Sequence, residues 1–450
     1  MSVIRGEFSS RLGFLLAASG SAVGLGNIWG FPTQAASNGG AAFLLVYLIL
    51  AFTLAYPALM AELIIGRHAK ANAVTALRSL TDKPLLKSLG GLTGFAGILT
   101  ASLILSFYAI VAGWMIAHFL SAIFQALGMT ATVDWLTEFS TLRNTIFTVV
   151  FLLMTTLIVS GGVNKGIERW STWLMPLLLV ILLCLIGYVF TREGAVEGLK
   201  VYLLPDFSRA IDIQLIIRAL GQAFFSLSLG VGTMLIYGSY VSKRENLASL
   251  GRTVTLIDIG IAVLAGLLIL PAMYVAQHNG VQIFDAAGKL ISEDTLIFTV
   301  LPALFDQMGG IGLLVSFAFF VLMTIAAITS SISMLEVPVS YVVENHQLPR
   351  KITTIFVGSL IAFISLVITF NFSALFGLTI QVTTRYSEPL LGLLFCVYAG
   401  WVWQRNQVLT EIKAGFENAE HSLFWKIWPF YVRYVCPLAI LAVFAHSFIS

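Results

Sequence analysis

Two apolar stretches, each long enough to cross a bilayer, are broken by a Gly-x-Gly pair. The first break is Gly24 and Gly26 in GSAVGLGNIW (20–29), and the second is Gly230 and Gly232 in SLSLGVGTML (226–235). In hydrocarbon an unpaired backbone N–H or C=O is costly, so a helix is interrupted only beside protein or a polar cavity. Two matching breaks in two halves of one chain predict a carrier whose site lies near mid-membrane. Composition agrees with a membrane setting. Of 450 residues 58% are hydrophobic and 10% charged, with mean hydropathy +0.93, where a soluble domain is roughly 25% charged. A net charge of +3 carries no pattern of nucleic-acid binding.

About 20 apolar residues span a bilayer core, and eleven candidate helices follow. They run near 11–37, 41–66, 89–125, 143–161, 167–190, 215–241, 252–277, 310–343, 352–371, 376–404 and 428–448. Lys and Arg set orientation. With the N-terminus inside, most of them, including Arg67, Lys70, Lys83, Lys243, Arg244, Arg350, Arg405 and Lys426, fall on the inner side. Arg143, Arg192, Lys200, Arg209 and Lys289 fall outside. The expectation is a multi-pass protein of the plasma (inner) membrane, with its N-terminus cytoplasmic and its C-terminus extracellular or periplasmic. The N-terminal segment is too polar and short for a cleavable signal. Five spans, five spans and one give the expected domains. Residues 1–190 form a first repeat, 191–404 a second, inverted repeat, and 405–450 a cytoplasmic loop with helix 11. Each repeat has a glycine break in its first helix. Segment 278–309 reads as a helical hairpin that lids the outer side, with Ser292 as a cap, or as a packed surface loop. Cys184, Cys396 and Cys436 stand in apolar runs without metal-like or CxxC spacing, and read as buried small hydrophobes.

Several motifs agree in order and spacing with one family. RLGFLLAASGSAVGLGNIWGFP (11–32), ASNGGAAF (36–43), ELIIGR (62–67), GQAFFSLSLGVG (221–232) and AITSSISMLEVP (327–338) resemble the neurotransmitter:sodium symporters, in particular their bacterial amino-acid branch. The resemblance covers essentially the whole chain. It implies an all-α polytopic protein with helices 1 and 6 unwound at mid-membrane. It also implies sodium-coupled import by alternating access, with two sodium ions as cosubstrates and no enzymatic reaction.

By that resemblance one ion meets the carbonyls of Gly20, Val23 and Ala326 and the hydroxyls of Thr329 and Ser330. The plain alternative for such hydroxyls is a bond back onto their own helix. The other ion meets the Ala22 carbonyl, the Asn27 side-chain oxygen, Ser226 and Asp258. Asp258, in LIDIGIAVL (256–264), is the most informative charge in the chain, because an acid in an apolar run is expensive. Tyr47, Gln222 and Ser226 match a chloride pocket found in other members, and Asp258 supplies a fixed negative charge there. Transport is therefore expected to be chloride-independent. The alternative is an aspartate that caps helix 7.

The freed N–H groups at Gly24, Leu25 and Gly26 suit a carboxylate, and Tyr108 matches the tyrosine that reaches it. In isolation Tyr108 also fits an interface anchor. The implied side-chain pocket holds Ser21, Ala22, Ile104, Tyr108, Phe225, Ser226, Ser228, Val231, Ser330 and Met334. It carries no charge and is mostly apolar. The expected substrates are neutral, mainly hydrophobic amino acids. Val231 stands where a relative has a bulky aromatic, which leaves room. The second reading is a carrier of another small carboxylate-bearing solute, a polar or acidic amino acid or an analogue.

Gly30 replaces the arginine of the family's outer latch, so closure is expected to rest on Tyr108, Phe225 and the 278–309 lid. Phe225 alone reads equally as core packing. Arg385 and Glu388, three apart on one helix face, read first as a buried structural pair, then as a substrate contact, then as a substitute latch. On the inner side Arg5 and Glu344 are the expected latch. Glu62 is expected to bond freed N–H groups near Gly230. A channel or a membrane enzyme is the rival class, but no HExxH, GxSxG or P-loop pattern occurs.

Overall fold

The computed structural model describes residues 6–204, 212–283, 290, 296–308 and 310–446, and these are almost entirely helical. The long helices are α1 (Arg11–Ala22), α2 (Gly26–Ser37), α3 (Ala41–Ala69), α4 (Pro84–Ala126), α5 (Thr141–Ser160) and α6 (Val163–Val189). The second half adds α7 (Ile213–Ser226), α8 (Thr233–Ser239), α9 (Leu247–His278), α10 (Leu296–Gln307), α11 (Gly310–His346), α12 (Arg350–Phe370), α13 (372–402) and α14 (Leu423–Ala445).

Local chemistry explains where these elements begin. Ser10, Ser140 and Asn246 accept the N–H of Gly13, Arg143 and Ser249 and so cap α1, α5 and α9. Pro84 occupies the first turn of α4, where its missing N–H costs nothing. Leucine, isoleucine and phenylalanine side chains such as Leu153, Leu157, Phe356, Phe363 and Leu438 project from the bundle. An outward apolar face is what lipid requires.

Among the described residues eight helices are long and apolar enough to cross a membrane, and nine if α1 and α2 count as one bent span. Two of the eleven expected spans do not meet that measure as continuous helices. The segment 213–239 is divided between α7 and α8. The helix α13 carries Gln381, Thr383, Thr384, Arg385 and Glu388 in its middle.

The centre of the bundle is the bent α1–α2 pair. It packs against α9 and α11, with α6 beside α1, and α11 lies lengthwise along α4. The short helix α8 lies on the C-terminal half of α3. The two breaks therefore sit inside protein, not against lipid, as the cost of freed backbone groups demands.

Candidate functional site

At the first break α1 stops at Ala22. Val23 turns to an extended conformation (φ −72°, ψ 102°), and the chain resumes helically at Gly26 after a bend of 56°. At the second break α7 stops at Ser226, and residues 227–232 form turns before α8. Three residues there take the left-handed region: Ser228 (φ 52°), Gly230 (φ 83°) and Gly232 (φ 82°). Glycine tolerates that region without strain. At Gly230 space demands it as well, since a Cβ would lie 2.2 Å from the Glu388 carbonyl oxygen. The freed Gly230 N–H donates to Glu62 Oε1 at 2.7 Å, which is the partner expected for that buried acid.

The two breaks touch. Ser228 Oγ donates to the Ser21 carbonyl at 3.3 Å. Phe225 lies over Gly26, where a Cβ would meet its ring at 2.8 Å. Gly24 faces Ser330 Oγ and the Tyr108 hydroxyl, at 2.6 and 3.1 Å from the position of an added Cβ. The Leu25 N–H points at the same hydroxyl at 3.4 Å. A side chain at Gly24 would fill the space where main-chain N–H groups and a phenol converge.

Asn27, Ser226 and Asp258 form one buried cluster. Asn27 Nδ2 donates to Asp258 Oδ1 at 2.7 Å and to Ser226 Oγ at 2.9 Å. Ser226 Oγ donates to Asp258 Oδ2 at 2.8 Å, and the Tyr47 hydroxyl donates to Ser226 at 3.3 Å. These bonds join both breaks to α9. One detail departs from expectation. The Asn27 amide oxygen accepts the Gly24 N–H at 3.2 Å, and its NH₂ faces the carboxylate. The amide must turn about its terminal bond before that oxygen can face a cation shared with Asp258. Gln222, expected in the same pocket, donates instead to the Gly26 carbonyl at 2.9 Å.

On the other side of α1, Ser330 Oγ lies 3.3 Å from the Gly20 carbonyl and 3.2 Å from that of Val23. Thr329 packs against Gly20. Its hydroxyl proton goes to the Ile325 and Ala326 carbonyls of its own helix. The back-bonding alternative thus describes that proton, while the oxygen keeps lone pairs free to meet a cation. The Asp258 cluster offers carboxylate and hydroxyl oxygens, and the Ser330 cluster hydroxyl and carbonyl oxygens; both kinds suit a hard cation.

Ala22, Ile104, Val231 and Met334 are buried on the elements that border the breaks. A cavity of about 1030 Å³ opens beside the breaks. Leu25, Gly26, Tyr108 and Phe225 line it there, together with Trp29, Trp114, Phe298 and Arg385. This aromatic wall was not anticipated. Trp29 and Trp114 lie 6.0 and 5.5 Å from Phe298, centroid to centroid. They come from α2, α4 and α10, so no local pattern joins them. Phe298 lies on α10, within the 278–309 segment, and lines the cavity. Ser292, its expected cap, lies outside the described residues.

Arg385 and Glu388 both border a smaller cavity of about 120 Å³. Glu388 is buried, its main-chain oxygen abuts Gly230, and its Oε2 has no hydrogen-bond partner among the described residues.

At the C-terminal end of α11, Glu344 accepts from the Asn72 N–H and Nδ2 at 2.8 and 2.9 Å. Its expected partner Arg5 lies outside the described residues. A second tie is clear here. Glu336, fully buried, accepts from the Tyr240 hydroxyl at 2.5 Å and from Arg350 Nη1 at 3.0 Å. It links α11 to α12 and to the end of α8.

A family model for the sodium:neurotransmitter symporter family matches residues 5–145 and 127–450. The chain is 34% identical over 453 residues to the uncharacterised sodium-dependent transporter YhdH of Bacillus subtilis, covering 97% of this chain and 96% of that one. It is 26% identical to the sodium- and chloride-dependent GABA transporter 2 of Bos taurus, over 63% of this chain and 53% of the other. Among solved structures it is similar to that of MhsT in complex with L-phenylalanine, at 35% identity and TM-score 0.84, covering 98% of this chain and 100% of that one. The broken helices, the oxygen clusters beside them and these likenesses agree: the chain belongs to the sodium:neurotransmitter symporter family, and is a multi-pass, sodium-dependent membrane transporter, not an enzyme.

Proposed function

We propose that this transporter imports neutral, mainly hydrophobic amino acids together with sodium, without needing chloride. The observation that carries the reading is the Asn27–Ser226–Asp258 cluster. It sits at the junction of both helix breaks and holds the carboxyl group of Asp258.

In this reading the amino acid's carboxylate meets the N–H groups at Leu25 and Gly26, that of Gly24 once the Asn27 amide has turned away, and the Tyr108 hydroxyl. One sodium ion lies between that carboxylate and the Ala22, Asn27, Ser226 and Asp258 oxygens. A second lies among Gly20, Val23, Ala326, Thr329 and Ser330 and ties α1 to α11. Ion and substrate stabilise each other because they share a contact, which is the physical content of coupling. Asp258 holds the charge that chloride would otherwise bring. Ser21, Ile104, Ser228, Val231 and Met334 surround an uncharged side chain, and Phe225 with Tyr108 closes over it. The complex of similar MhsT with L-phenylalanine supports an apolar substrate of some size.

This reading needs eleven spans, with 213–239 and α13 crossing the membrane beside the nine helical ones. It also needs residues 1–190 and 191–404 arranged as inverted repeats around the site, with 405–450 appended. The Arg5–Glu344 pair, helped by Glu336 and Arg350, closes the inner side, which faces the cytoplasm.

The test is binding of the twenty amino acids to purified protein in sodium and in choline, followed by uptake into proteoliposomes with chloride replaced by gluconate. Apolar amino acids bind only in sodium, and uptake survives gluconate. Binding that ignores sodium overturns the coupled site, and uptake that collapses in gluconate overturns the role of Asp258. Glutamate as sole ligand brings forward Arg385, which lines the cavity.

A further inference from the structure

Arg433 is an unusual residue for its place. It lies on α14, five residues past Trp428, which is about 7 Å along the helix. The helix there is mostly uncovered by protein. An arginine this deep needs an anion, or must reach back to the interface. Its guanidinium lies 4.1 Å from the ring centre of Trp401 and 5.5 Å from that of Tyr434. The Trp401 indole in turn donates to the Arg433 carbonyl at 2.8 Å. The arginine is thus held, and it borders a cavity of about 220 Å³ between the end of α13 and the start of α14.

Two more cations border the same cavity. Arg405 is stacked 5.4 Å from Trp425, and Lys426 is two turns before Arg433 on the same face of α14. No carboxylate borders it, and among the described residues none of the three cations has an ion-pair partner. Trp403, Trp425, Trp428 and Tyr434 complete the wall. Tryptophan and tyrosine settle at the level of lipid headgroups. Three cations without an ion-pair partner among the described residues, beside a headgroup-sized cavity walled by tryptophan and tyrosine, match a phosphodiester.

We propose that this cavity binds the phosphate of an anionic phospholipid, with Arg433, Arg405 and Lys426 as its ligands and the acyl chains along α14. The assignment to the inner leaflet rests on the orientation proposed above, whereas the binding itself does not.

Native mass spectrometry of the delipidated full-length protein tests this. It is titrated with phosphatidylglycerol and with phosphatidylcholine of the same acyl chains. One phosphatidylglycerol is expected to be retained, with about tenfold preference over phosphatidylcholine. Arg433→Gln abolishes the preference, while Lys200→Gln, a charge removed elsewhere, leaves it intact. The double variant Arg405→Gln/Lys426→Gln reads the same site from the segment before α14 and from that helix's first turn, should Arg433→Gln fold poorly. Sodium-dependent amino-acid binding checks folding and keeps failure of this site distinct from failure of the transport reading. Equal binding of the two lipids, or a preference that survives both variants, overturns the proposal. Displacement of phosphatidylglycerol by millimolar glycerol phosphate assigns the site to a soluble anion and overturns the lipid as its occupant.

Discussion

Single residues decide the chemistry at the junction of the breaks. Asp258 is held by Asn27 and Ser226 on both carboxylate oxygens, so Asp258→Asn removes charge with little change of shape. Sodium-dependent uptake by this variant is expected to fall at least tenfold in gluconate and to recover in part when chloride is restored. Uptake unchanged in gluconate excludes the charge-balancing role. Gly230 is constrained twice, by φ 83° and by the Glu388 carbonyl at 2.2 Å from an added Cβ. Gly230→Ala is expected to cost about 1–3 kcal/mol of strain, read as a lowered melting temperature and lost binding. Asp258 could be singled out in the sequence because a lone acid interrupts an apolar run. The direction of the Asn27 amide could not, since it depends on which of Gly24 and Asp258 the folded chain presents to each end.

Elements carry the next level of organisation. The short helix Arg405–Lys413 is fastened to the C-terminal end of α3 by Arg67, which donates to Glu411 Oε1 at 2.7 Å and to the Glu411 carbonyl. Burial pushes the Glu411 carboxyl up, but bonds from His68 and Arg67, with Lys243 nearby, pull it below the ordinary carboxylate range. A depressed carboxylate stabilises the fold above its unfolded pKa of about 4.3. That contribution fades as pH falls from there through the lower folded value. Thermal unfolding of the wild type should therefore lose stability below about pH 4 more steeply than Glu411→Gln. At neutral pH the variant should be less stable by roughly 3 kcal/mol, because Arg67 stays buried with one partner gone. Equal melting curves for the two proteins at every pH would sink this account. Nothing local announces the pair, since Arg67 and Glu411 are separated by most of the chain. The same holds for Glu336, whose partners Tyr240 and Arg350 lie on other elements.

At the scale of the whole molecule, coupling means that ligands which bind only the folded bundle stabilise it together. With sodium present, a substrate at a hundred times its Kd should add about 2.7 kcal/mol of stability, seen as a raised melting temperature. In choline the same substrate should add almost none. Equal stabilisation in both salts would mean that the two oxygen clusters at the breaks do not communicate with the substrate.

Membrane character, helical class and the positions of both interruptions are properties of the chain read alone. They follow from what hydrocarbon forbids, and each is written within a window of some twenty residues. The expectation that Tyr108, Ser330 and Asp258 gather at the breaks came from the family resemblance. Their distances, the aromatic wall of Trp29, Trp114 and Phe298, and the approach of Glu388 to Gly230 were decided by tertiary structure. These are meetings between helices far apart in sequence. The apolar pattern specifies only that a face is buried, and packing of the bundle selects which side chains share it.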